Sequence, residues 1–220
     1  MRSIAKLMKD WQFTGPNGVT TAVELPHTWN AKDGQDGGND YWRGCCTYCT
    51  RFAAPVYDPA QQQVWLQFEG VNASAAVLLN GQQLCTHDGG YSTFRAEVTE
   101  LLQAENQLTV RVDNSVNDRV YPQKADFTFY GGIYRDVSLL VVNKNHIALG
   151  HFGDTGVKIT PALKEGSADI QVETLVEGEG TVTVELLDAE GRTVAKGEGE
   201  NASLHLDAPH LWNGVKDPYL

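Results

Sequence analysis

The chain has 220 residues, enough for one large or two small domains, and its 28 acids against 17 lysines and arginines give a net charge of −11. That balance excludes phosphate backbones and anionic membrane surfaces as natural partners, so no nucleic acid or membrane is expected, and no apolar run approaches the roughly 18 residues of a membrane-spanning helix. A hydrophobic fraction of 41% supplies material for a real core, and 22 glycines favour a loop-rich β architecture.

The opening MRSIAKLMKDWQF lacks the apolar stretch of a secretory leader. Next comes an aromatic and glycine cluster, Leu25–Gly44, whose middle is Gly/Asp-rich and exposed. Asp33, Asp36, Asn39 and Asp40 offer oxygens to a hard cation, but their spacing is not that of an EF-hand and a solvated loop is the expected state. YWRGCCTYCTRF then reads as a strand. Its Cys45, Cys46 and Cys49, with Cys85, form no second paired cluster of the kind zinc sites use, so buried free thiols are expected rather than a metal site. Free thiols imply a reducing, cytoplasmic setting.

Period-two alternation recurs along the rest of the first half. Gln63–Glu69 alternates Val64, Leu66 and Phe68. Ala75–Leu79 turns at Asn80-Gly81, the strongest short hairpin signal, and returns through Gln82–His87. Only Ala96–Leu102 hints at a helical turn. Gln107–Asp113 alternates again, and Val137–Val142 is a continuous apolar run. Beyond Asn143–Asn145 aromatics become scarce, and strands are expected at Val157–Ile159, Ala168–Val176, Thr181–Leu187, Thr193–Ala195 and Ser203–Leu206, with a hairpin turn at Asp188–Gly191. The pattern is all-β, with one sandwich over 1–143 and a smaller one over 144–220.

Chemistry concentrates in ADFTFYGGIYRDVSLL, Ala125–Leu140. Asp126 lies among Phe127, Phe129, Tyr130 and Tyr134, and an acid in an aromatic cluster needs a partner. Either the rings form a sugar-stacking wall with Asp126 reaching a polar ligand, or the segment is a structural loop whose acid caps backbone N–H groups. Arg135 and Asp136 are neighbours on a strand and point to opposite faces. No GxSxG, P-loop or HExxH motif occurs, and no pair of carboxylates can be singled out as the acid and nucleophile of a glycosidase.

Five segments, in order, resemble glycoside hydrolase family 2. LPHTWN (25–30) resembles the family's LPHDW, with Thr28 in place of the acid. DYWRGCCTYCTRF (40–52) resembles YYRGxGWYRKxF, with Thr47 in place of the tryptophan. LQFEGVNASAAVLLNGQQL (66–84) resembles the strand–hairpin core, DFTFYGGIYRDVSL (126–139) the closing signature, and APHLWNGVKDPYL (208–220) the stretch before the last strand of the second domain.

The resemblance implies a jelly-roll sugar-binding domain over 1–143, then an immunoglobulin-like domain over 144–220 lacking its last strand. It implies a TIM barrel beyond them that carries both catalytic glutamates, so no catalytic residue is expected in this chain. The chain is expected to be an inactive amino-terminal fragment of a retaining β-glycosidase, a β-galactosidase first and a β-glucuronidase or β-mannosidase otherwise; a free-standing carbohydrate-binding module is the alternative. Asp126 matches the family's substrate-side acid, with Phe127 and Tyr130 beside it as substrate-binding candidates. No cofactor is expected in the fragment, and sodium or magnesium in the parent. The partners implied are a β-galactoside-like carbohydrate, the barrel, and further copies in a homo-oligomer.

Overall fold

The computed structural model describes residues 2–31, 41–122, 128–149 and 153–216. The chain divides into two compact units, Met1–Asn143 with His151–Gly153, and Lys144–Gly150 with Asp154–Leu220. Among the described residues the regular structure is overwhelmingly β, with a 3-10 turn at Thr99–Leu101, where the sequence hints at a helical turn.

The first unit carries β1 (Ser3–Lys6), β2 (Trp11–Thr14), β3 (Thr20–Val23), β4 (Cys45–Ala53), β5 (Gln62–Phe68), β6 (Val71–Asn72), β7 (Ser74–Leu79), β8 (Gln82–Asp88), β9 (Phe94–Glu97), β10 (Glu105–Asp113), β11 (Gly132–Ile133) and β12 (Val137–Asn143). A six-stranded sheet in the order β3-β2-β4-β10-β7-β8 faces a four-stranded sheet, β1-β12-β5-β9. Alternation builds the core between them. Cys46, Tyr48, Phe52, Leu108, Val110, Val112, Val77 and Leu79 point inward from one sheet and meet Val64, Leu66, Phe68, Val137, Leu139 and Val141 from the other. β12 is buried on both faces, from Val137 through Val142, which is why its sequence is a continuous apolar run and not an alternation.

The Asn80-Gly81 hairpin forms between β7 and β8, with φ of 51° and 83° at its two central residues. Both values are positive, as the tight turn that follows strand twist requires. The sequence pattern does not announce the three amino-terminal strands. β1 is exposed along its length and β3 nearly so, and neither alternates visibly.

The cysteine expectation is corrected in part. All four thiols are free, but only Cys46 is buried; Cys45 is exposed, and Cys49 and Cys85 are intermediate. Strand geometry turns Cys46 inward while Cys45 and Cys49 share the outer face of β4, so the triplet cannot converge. Burial pushes the Cys46 thiol up to about 12.

The second unit contains β13 (His146–Ile147), β14 (Val157–Lys164), β15 (Ser167–Thr174), β16 (Val176–Glu177), β17 (Thr183–Leu187), β18 (Thr193–Glu198) and β19 (Asn201–Asp207). The sheet β14-β15-β19 packs Val172, Ala202 and Leu204 against Val184, Leu186 and Ala195 of the β17–β18 hairpin. β14 runs through Pro161, which an edge strand tolerates because its N–H side need not donate to a neighbour. The hairpin turns at Asp188–Gly191, where the Gly191 N–H donates to the Asp188 carbonyl at 3.0 Å.

Candidate functional site

The segments that carry chemistry in the sequence meet at one place in the first unit. β11, the start of the strand pair in the closing signature, pairs with β6, setting Gly132 opposite Asn72 and Ile133 opposite Val71. The LPHTWN segment runs alongside it. The His27 N–H donates to the Ile133 carbonyl at 2.8 Å and the Trp29 N–H to the Gly131 carbonyl at 3.2 Å, while Thr28 Oγ1 donates to the same Gly131 oxygen at 2.8 Å.

Two asparagines, both fully buried, fasten these segments to the YWRG segment. Asn30 Oδ1 accepts the Gly131 N–H at 2.7 Å and Asn114 Nδ2 at 3.1 Å, and Asn30 Nδ2 donates to the Trp42 carbonyl at 2.8 Å. Asn114 Nδ2 also donates to the Phe129 carbonyl at 3.0 Å, and its Oδ1 accepts the Gly44 N–H at 2.8 Å. Arg43 Nε donates to the Asn114 carbonyl at 2.7 Å, and its guanidinium lies 5.3 Å from the centre of the Phe129 ring. Buried amides with donors and acceptors both engaged fix a loop geometry that apolar packing alone would leave open.

Two glycines make the close approach possible. A Cβ on Gly131 would stand 2.0 Å from the Trp29 ring, and one on Gly132, where φ is +142°, would stand 2.3 Å from the His27 carbonyl oxygen. Trp29 is itself held, stacked on Phe13 with centroids 6.0 Å apart and edge-on to Trp42 at 6.0 Å.

Beside this clamp lies a hollow of about 270 Å³, lined by Thr28, Asn72, Tyr91, Tyr130 and Tyr134. Tyr130, a candidate from sequence, is 38% exposed on its wall. Tyr134 joins it there and hydrogen-bonds the Gly90 carbonyl. Phe129 does not join the wall; it is buried beneath Arg43. Asp126 and Phe127 lie outside the described residues, as do Asp33, Asp36, Asn39 and Asp40 of the glycine-rich loop. Asp136 turns away to pair with Lys6 at 2.5 Å, while Arg135 Nη1 donates to the Tyr91 carbonyl at 3.1 Å, in keeping with their opposite faces. Sequence reasoning misses Tyr91, in a turn, and Asn72, on β6, which carry no local signal of a shared site. Among the described residues no three His, Cys, Asp or Glu side chains converge as they would on a metal ion.

Two histidines of this unit are shifted. Burial lowers His27, whose Nδ1 is hydrogen-bonded to Tyr48 Oη at 2.7 Å, and burial lowers His87, stacked 4.2 Å from Phe94. A folded-state pKa below the ordinary value near 6.5 means the unfolded chain takes up protons first. The stability these neutral rings contribute is full above that value and is lost as pH falls through the folded-state pKa. Thermal unfolding of the chain between pH 7.5 and pH 5.5 is therefore expected to show the first unit's transition moving down, and His27→Gln with His87→Gln to flatten the dependence. A transition independent of pH over that window would contradict the assignment.

Comparison with known proteins agrees with this geometry. Residues 38–162 match the family model described as the glycosyl hydrolase 2 galactose-binding domain-like domain. The chain is 32% identical to a β-glucuronidase of Bacteroides fragilis over 97% of its own length and 34% of that relative's. It is 31% identical to a β-galactosidase of Thermoanaerobacter pseudethanolicus over 59% of its length and 18% of the relative's. The crystal structure of the FMN-binding β-glucuronidase from Facaelibacterium prausnitzii L2-6 superposes with a TM-score of 0.92 at 35% identity, covering 100% of this chain and 36% of that one. The chain thus spans about a third of the length of these two β-glucuronidases. With 125 of its 220 residues inside the family model, the chain belongs to glycoside hydrolase family 2.

Proposed function

We propose that this chain is the non-catalytic, substrate-facing portion of a retaining β-glycosidase that hydrolyses O-glycosidic bonds, its two catalytic carboxylates lying in sequence outside the 220 residues. The observation that carries the reading is the asparagine-clamped closing segment, which presents Tyr130 and Tyr134 in an open hollow. A loop that served packing alone would bury those rings; here rigid backbone holds them at the surface, as substrate-positioning walls require. Asp126, four residues before Tyr130, is the acid we assign to the sugar's hydroxyls. One carboxylate accepting two hydroxyl protons holds a distorted ring more tightly in the transition state than in the ground state.

The substrate is a β-glucuronide or a β-galactoside. The galactoside reading is supported by the sequence resemblance and by a putative β-galactosidase structure matched over 99% of the chain; the glucuronide reading is supported by the β-glucuronidases matched over 97% and 100% of it. Assay of the full-length protein against the p-nitrophenyl β-D-glycosides of glucuronic acid, galactose and mannose tests this directly. Hydrolysis of one of them by the full-length protein is expected, and none by the 220-residue chain alone. Hydrolysis by the chain alone, or none by the full-length protein, would overturn the reading. Asp126→Ala in the full-length enzyme is expected to lower kcat/KM about tenfold or more, about 1.4 kcal/mol of transition-state binding, and unchanged kinetics would remove Asp126 from the site.

A further inference from the structure

The tyrosine hollow differs in its chemistry from a sugar pocket. A pyranose carries hydroxyls on every side, and a site that buries them must supply donors and acceptors or incur their desolvation cost. Here three of the five side chains at the wall direct donors into the protein's own backbone. Thr28 Oγ1 donates to the Gly131 carbonyl at 2.8 Å, Asn72 Nδ2 to the Tyr130 carbonyl at 2.7 Å, and the Tyr134 hydroxyl to the Gly90 carbonyl. What these bonds leave facing the hollow is largely ring surface.

Tyr91 is 58% exposed and sits edge-on to Tyr134 with centroids 6.3 Å apart. Its loop is held from below. Arg135 Nη1 grips the Tyr91 carbonyl at 3.1 Å, and Gly90 packs so closely on Asn72 that a Cβ would stand 2.2 Å from Asn72 Oδ1. An exposed aromatic on an anchored loop loses little conformational entropy when a ring stacks on it. The volume, about 270 Å³, exceeds the roughly 150 Å³ of an apolar cavity that accepts benzene.

From these observations we infer that the hollow formed by Tyr91, Tyr130 and Tyr134 is a subsite for the apolar, flat aglycone ring of a β-glycoside. The inference rests on the reading of the chain as facing a glycoside, and its ligand is a planar ring with few hydroxyls. The edge-on pair of Tyr91 and Tyr134 gives such a ring one face to stack on and one edge to meet, the geometry aromatic groups prefer.

Saturation-transfer NMR on the 220-residue chain tests it, with phenyl β-D-glucuronide, phenyl β-D-galactoside and their methyl counterparts as probes. The phenyl protons are expected to receive the strongest saturation with either sugar, and the methyl glycosides little. Tyr91→Ala is expected to weaken binding of the phenyl glycosides about tenfold or more, while Tyr91→Phe, which keeps the ring, stays within about twofold of the parent. The exposed position lets Tyr91→Ala fold, and an unchanged melting temperature checks that it does. Equal saturation of phenyl and methyl glycosides, saturation centred on the sugar protons, or undiminished binding by Tyr91→Ala would each overturn the subsite. Hydrolysis is read separately on the full-length protein. Phenyl binding without hydrolysis there would overturn the glycosidase reading and leave the subsite standing; hydrolysis without phenyl binding would do the reverse.

Discussion

Gly132→Ala is expected to destabilise the first unit by about 4 kcal/mol or more, an effect at the extreme of single substitutions. The added methyl would sit 2.3 Å from the His27 carbonyl oxygen and 3.0 Å from both Thr28 Cα and Tyr48 Oη. The first obstacle is backbone, not the end of a movable side chain, so relief requires the closing segment and the 27–29 segment to part. Parting them stretches the His27–Ile133 and Trp29–Gly131 backbone bonds together with the Thr28–Gly131 bond. The φ of +142° adds conformational strain for any residue with a Cβ. Gly81→Ala separates the two terms. Its φ is +83°, yet a Cβ there meets nothing within 4 Å, so it should cost only about 1 kcal/mol. Urea unfolding of both variants measures the difference, and equal losses would show that strain alone, not the close approach, requires glycine at 132.

Asn114→Ala is expected to cost about 3 kcal/mol. The side chain is fully buried and makes bonds to Gly44, Phe129 and Asn30 across gaps of 70, 15 and 84 residues in sequence. Truncation strips the Gly44 N–H and the Phe129 carbonyl of these partners in a site too closed for water to replace them, and each such loss costs about 1–3 kcal/mol. Asn114→Asp keeps an acceptor for Gly44 but removes both donors and buries a charge, so it should be no milder. Against a typical total stability of about 5–15 kcal/mol, about 3 kcal/mol is readily measured by chemical denaturation. A loss below about 1 kcal/mol would show that the amide bonds follow the loop geometry and do not set it.

Much of the fold can be read from side-chain period, because β4, β5, β7 and β10 each have one face in the core and one outside. The unbroken run of β12 announces its burial on both faces for the same reason. β1 and β3 are illegible because edge strands exposed along their length have no buried face to impose a pattern. The cysteine triplet misleads because composition says that thiols are usually buried, while strand alternation decides which one is.

The site is legible only in part. The glycine pair announces unusual backbone, but only the fold shows that Gly131 yields space to an indole and Gly132 to a carbonyl oxygen. Tyr130 and Tyr134 are marked by their place in an aromatic cluster. Tyr91 and Asn72 are not, since their proximity to that cluster arises from pairing of β6 with β11 across about sixty residues. The Asn30–Asn114 contact spans 84 residues and has no local sequence signature at all.

The most direct test of the account is a crystal structure of the full-length protein with a non-hydrolysed β-glycoside analogue bound. A sugar hydroxyl is expected within hydrogen-bond distance, under about 3.5 Å, of the Asp126 carboxylate, with the Asn30 and Asn114 bonds to the closing segment intact. A sugar bound out of reach of Asp126, or a closing segment released from those asparagines, would contradict it.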